Sequence, residues 1–140
     1  MRKAGRLLLL MSLSVVGSSA VEVSGRKITT AQARSLVMAS LTADQARLPG
    51  VEAEPYDVPP GAPPRFMFFT VTWAGTRNGS VVVGNYAVDP YTGDIFSATA
   101  SCYEERNRNL GALQTRIRAT LHLSRSEYLK LKTKGPLCDE

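Results

Sequence analysis

Histidine is almost missing from this chain: among 140 residues there is one, His122. A histidine base or metal site needs partners, and no HxxxH, HExxH or CxxC spacing is present. His122 beside Leu121 therefore reads as a structural residue at the edge of an apolar stripe. The GxSxG elbow of serine hydrolases, the phosphate-cradling glycine loop and the dinucleotide fingerprint are also missing. No calcium loop with oxygen ligands at fixed spacing is found. These absences exclude most cofactor and metal chemistries from the expectation, so catalytic, cofactor and metal residues are all expected to be none. What carboxylates remain are Asp89 and Asp94 around one turn and the adjacent Glu104 and Glu105. A carboxylate pair set across a cleft would suit a small hydrolase; Asp89 before Pro90 reads first as a turn residue.

Long apolar runs are also lacking. The longest, Leu7 to Val16, is about ten residues, and a spanning helix needs about 20. Arg2, Lys3 and Arg6 precede it and Gly17-Ser18-Ser19-Ala20 follow. A basic start, a short apolar core and a small-residue end make a secretory signal peptide over residues 1–20, cut between Ala20 and Val21. No stable membrane insertion is expected after its removal. The formal charge of +5 then falls to +2, from 14 Lys/Arg against 12 Asp/Glu. Residues 21–100 carry six Lys/Arg and seven Asp/Glu, residues 101–140 eight and five, so the tail is mildly basic. An exported chain enters an oxidising compartment, secreted or periplasmic, where its two cysteines, Cys102 and Cys138, are expected to pair. The bridge would close a loop of about 37 residues and contribute roughly 3–4 kcal/mol by chain entropy.

The remaining 21–140 reads as one exported α+β domain. Val21 to Lys27 alternates as a short edge strand. Thr29-Thr30-Ala31-Gln32 is a capping box that starts a helix carrying Ala33, Leu36, Val37 and Leu41 to about residue 41. Six of the eight prolines fall between 48 and 64, which predicts a stiff extended connector. Phe66 to Trp73 is a strand, with Met67, Phe69, Val71 and Trp73 expected under the helix. Asn78-Gly79 predicts a hairpin turn back into a strand over Ser80 to Asp89. Asp89-Pro90-Tyr91-Thr92-Gly93 predicts a second turn, into a strand over Asp94 to Thr99. The centre is thus a three- to four-stranded antiparallel meander.

After Cys102 the apolar period lengthens: Leu110, Leu113, Ile117 and Leu121 make one helical stripe. Ser124-Arg125-Ser126-Glu127 opens another helix, which Gly135-Pro136 stops. The tail, 101–140, is a C-terminal helical hairpin, expected to lie over Phe66 and Phe68 on the sheet's second face. Read as a helix-turn-helix it would face phosphates, but export and a modest charge argue against a nucleic-acid partner.

Two segments resemble the PepSY domain, a small exported module with a cystatin-like arrangement of helix and sheet. They are Lys27-Ile28-Thr29-Thr30-Ala31-Gln32-Ala33, at a capped helix start, and Tyr86 to Ile95, similar to that family's closing hairpin with its VD-x-x-TG-[DE] pattern. The resemblance covers about residues 26–98 and leaves the helical tail outside. Small exported immunity proteins and hydrolase inhibitors with cystatin-like or nuclear-transport-factor-like folds are a second resemblance. Both imply binding rather than turnover. The expectation is a non-catalytic module for an unidentified protein or peptide partner, with an inhibitor or immunity role against a hydrolase as its sharpest form. The alternatives are a small carboxylate-dependent enzyme and a structural envelope component. Partner contact is expected at the hairpin tips, through Arg77, Asn78, Tyr91 and Thr92.

Overall fold

The computed structural model describes residues 26–75, 79, 81–98 and 103–136. The expected signal peptide with its Ala20–Val21 junction, the cysteines Cys102 and Cys138, and the tip residues Arg77 and Asn78 lie outside the described residues.

Thr29 caps α1 (Thr30–Ser40) in a reciprocal pair: the Gln32 amide donates to its hydroxyl at 3.2 Å, and its own amide donates to Gln32 Oε1 at 2.8 Å. The same four-residue pattern recurs at Thr42-Ala43-Asp44-Gln45, where it caps the one-turn helix α2 (Ala43–Ala46). Four strands follow: β1 (Glu52–Tyr56), β2 (Met67–Thr72), β3 (Val82–Val88) and β4 (Ile95–Ser97). They pair antiparallel in chain order, which is a meander. Two helices close the described chain, α3 (Arg108–Thr120) and α4 (Arg125–Leu131), the second with a capping box from Ser124 and Glu127. The expected α+β architecture holds.

A strand lies where the sequence pattern put only a connector: Glu52–Tyr56 pairs with β2. Of the expected edge strand Val21–Lys27, residues 21–25 lie outside the described residues, and Arg26 and Lys27 are not in a strand. Pro55 sits opposite Phe69, and a proline without an N–H is compatible with an edge strand. The rest of the connector, 57–66, is irregular.

The covering of the sheet also differs from expectation. Phe69 and Val71 face Leu36 and Val37 of α1, as anticipated, with Met67 packed at the margin; Tyr86, Val88 and Ile95 join them, and Leu110 and Ile117 of α3 belong to that same cluster. Thus α3 lies beside α1 rather than over Phe66 and Phe68. Asn107 explains the placement. Its Oδ1 accepts from the Leu110 amide at 2.8 Å and caps α3, while its Nδ2 donates to the Ala39 and Ser40 carbonyls at the end of α1, each at 3.0 Å. One side chain therefore satisfies orphan groups of two helix ends. On the opposite face Phe66, Phe68, Ala87 and Phe96 form a second cluster, flanked by Tyr56 and Ala62 from the proline-rich stretch. Trp73 lies beyond a register shift at Val71/Thr72 and is half-buried instead of joining the core row.

Candidate functional site

The β3–β4 turn collects most of the buried polarity. Asp89, Thr92 and Asp94 are each at most 1% exposed, so every polar atom needs a partner. The Tyr91 amide donates to Asp89 Oδ1 at 3.0 Å, and the Gly93 amide to the Asp89 carbonyl at 2.8 Å. Gly93 adopts φ +72°, a left-handed conformation that a residue with a Cβ rarely takes. Thr92 Oγ1 donates to Asp94 Oδ2 at 2.9 Å and accepts from the Asp94 amide at 3.2 Å.

Two arginines from distant parts of the chain grip this turn. Arg65, at the end of the proline-rich stretch, donates to Asp89 Oδ2 at 2.6 Å and to the Leu131 carbonyl of α4 at 2.7 Å. Arg118, on α3, donates to Asp94 Oδ1 at 2.7 Å and to the Thr92 carbonyl at 2.8 Å. Each guanidinium thus binds one carboxylate of the turn and one backbone carbonyl. The Arg118 plane also lies 4.2 Å from the Tyr128 ring centre, and the Tyr128 hydroxyl donates to Asp94 Oδ1 at 3.1 Å. Lys132 extends the network, donating to both Glu104 oxygens at 3.2 Å and to the Tyr128 hydroxyl at 3.1 Å.

The charges follow from this arrangement. Burial raises the Asp94 carboxyl above its ordinary range, although Arg118 and the Thr92 hydroxyl pull the other way. Burial would also raise Glu104, but hydrogen bonds from Arg106 and Lys132 outweigh it and hold that carboxyl low. Lys132 behaves correspondingly: burial favours loss of its proton, but the bonds to Tyr128 and Glu104 prevail and its pKa is raised. Glu105 is raised by burial.

Tyr91 and Thr92 stand where the sequence placed them, at the turn. Thr92 is wholly buried and serves the turn itself, so its side chain offers no surface to a partner. Tyr91 is half-buried, with Lys27 and Arg65 each 5.1 Å from its ring centre. His122 is exposed just past the end of α3 and takes φ +52°, a helix-ending conformation. The roles of Arg65 and Arg118 escaped sequence reasoning, because each partner carboxylate is 24 positions away. The one available signal was the acid bracketing of the turn, Asp89 and Asp94.

Beside this hub an open groove of about 530 Å3 runs between α3 and α4, lined by Thr115, Arg118, Ala119, Leu123, Arg125 and Tyr128 among others. It is part apolar and part cationic, and it joins the buried network to solvent.

Neither a family model nor a curated relative matches the chain. A solved structure does. One chain of a type VI secretion system effector–immunity complex from Pseudomonas protegens is 24% identical, with a TM-score of 0.55 over 75% of this chain and 86% of that one. The two share a fold. Among the described residues no helix is long and apolar enough to cross a membrane.

Proposed function

We propose that this chain is an exported, non-catalytic module that binds a protein partner, in the form of an immunity-type inhibitor of a hydrolase. The observation that carries the reading is the shared fold with a chain of an effector–immunity complex, which extends over most of both chains. The use of the carboxylates supports it. Asp89 and Asp94 are consumed in holding the β3–β4 turn to Arg65 and Arg118, and Glu104 holds Arg106 and Lys132. The raised pKa of Asp94 would suit an acid catalyst. Its 1% exposure and its three hydrogen-bond donors keep a substrate from reaching it. The basic start and short apolar run before Val21 support export to the periplasm or the medium.

The test is capture of partners from periplasm and culture medium with the mature chain, followed by purification of the captured protein and titration of its activity. A stoichiometric complex that suppresses a hydrolytic activity is the expected result. Turnover by the chain itself, abolished by Asp94→Asn in a still-folded protein, would replace this reading with the carboxylate-dependent enzyme.

A further inference from the structure

Building on the protein-binding reading, we propose that the outer face of α3 and α4 is the docking surface and that its partner presents an acidic protein surface. The described tail, 103–136, holds eight Lys/Arg and three Glu. All three acids are turned inward or used locally. Glu104 binds Arg106 and Lys132, Glu105 is half-buried beside β4, and Glu127 accepts from the Ser124 amide in the capping box. Arg108, Arg116, Arg125 and Lys130 are exposed on the two helices; among the described residues no ion pair engages the three arginines, and Lys130 has Glu127 near it on α4. Of the other exposed acids among the described residues, Asp44 pairs with Arg47 on α2, and Glu52, Glu54 and Asp57 gather on and just after β1, the far edge of the sheet. A field so divided steers one end of the molecule toward negative charge.

A protein, rather than a nucleic acid or a lipid surface, fits the apolar content of the face. No α4 side chain is buried, and Leu129 is 61% exposed between Arg125 and Lys130. The groove next to it adds Ala119, Leu123 and the Tyr128 ring. Tyrosine and arginine around an exposed leucine are the composition of an interface centre. A phosphate backbone would be gripped chiefly by the cations, and a membrane interface takes up a continuous apolar helix face, whereas Leu129 is the one large apolar side chain that α3 and α4 leave exposed.

The experiment titrates poly-L-glutamate into the full mature chain and follows backbone amides by NMR. Three forms are compared: wild type, Arg125→Glu/Lys130→Glu, and the charge-matched control Arg34→Glu/Arg47→Glu on the α1–α2 side, with circular dichroism verifying that all are folded. Shifts confined to α3 and α4, weakened at least tenfold in the first variant and little changed in the control, are expected. Equal weakening in the control, or shifts centred on β1 or the β2–β3 hairpin, would overturn the surface. Tighter binding of single-stranded DNA or of vesicles containing phosphatidylglycerol at the same salt would overturn the class of partner. Self-association abolished by Glu52→Lys/Glu54→Lys would make the occupant a second copy of the chain. The captured protein separates the two proposals. If it binds Leu129→Ala and Arg125→Glu/Lys130→Glu as it binds wild type, this surface is wrong while the binding reading stands. If no protein is captured, the binding reading fails, and the site fails with it.

Discussion

Gly135 is the residue at which the chain crosses the Phe96 ring. It takes φ +101°, and a Cβ built there would meet Phe96 Cδ1 at 2.6 Å. Gly61 also has a positive φ, +82°, but faces open space. Gly61→Ala should therefore cost about 1 kcal/mol from backbone strain alone. Gly135→Ala should cost distinctly more, and the difference in urea midpoint between the two measures the ring contact. Phe68 is 2% exposed in the second cluster, so Phe68→Ala should lower stability by roughly 3–5 kcal/mol. For the turn, Arg118→Ala leaves the Asp94 carboxylate buried without its guanidinium. A fully buried pair broken on one side loses about 3–5 kcal/mol; since Arg118 is 23% exposed, about 2–4 kcal/mol is expected. Adding Asp94→Asn to that variant should restore part of the loss, as removing the orphaned charge relieves its desolvation. A double-mutant cycle by chemical denaturation checks this, and simple additivity would show that the two side chains do not act as a pair.

At the scale of elements, α4 is held differently from the rest. Its fixings are polar: the Tyr128 hydroxyl on Asp94, Arg65 on the Leu131 carbonyl, and Lys132 just beyond it on Glu104. With no buried side chain of its own, it should open locally at a free energy well below that of β2 and β3. Hydrogen exchange should show its amides exchanging first among the helices longer than one turn. Tyr128→Phe should speed that exchange while lowering global stability by only about 1 kcal/mol. Exchange of α4 together with the sheet would show that it opens only with the whole fold. Much of this element plan was legible in the sequence. The capping boxes at Thr29 and Ser124 and the Leu110–Ile117 spacing gave α1, α3 and α4, and the Asp89-to-Gly93 turn gave the β3–β4 hairpin. The strand β1 was hidden because Pro55 and its neighbours carry a connector's composition, and a pairing partner is not a local property. The side of the sheet taken by α3 was hidden for a similar reason: both faces of β2 are apolar, and Asn107 decides between them through carbonyls 67 and 68 positions away. The arginine grips on the turn are equally long-range.

At the scale of the whole molecule, the alkaline side of the stability profile has a fixed sign. Burial raises Tyr56 and Tyr86, the latter with help from Glu105, and the Tyr128 and Glu104 bonds raise Lys132. Each group keeps its proton to higher pH when folded than when unfolded, so its contribution is complete below the unfolded pKa and is lost as pH rises through the folded one. Stability should thus hold to about pH 10 and fall above it, and Tyr86→Phe should flatten part of that fall in urea midpoints measured from pH 8 upward. A midpoint that rises over this interval would contradict these assignments. The acid side is shallower, because Asp94 and Glu105 are raised while Glu104 is lowered, so their contributions oppose each other. One further property belongs to the assembled sheet. Its β1 edge carries Pro55 and two exposed glutamates, so a neighbouring copy approaching in strand geometry would lack an amide to bond and would meet like charge. Where copies of the chain are crowded together, that acidic, proline-stopped border keeps sheets from zipping into fibres.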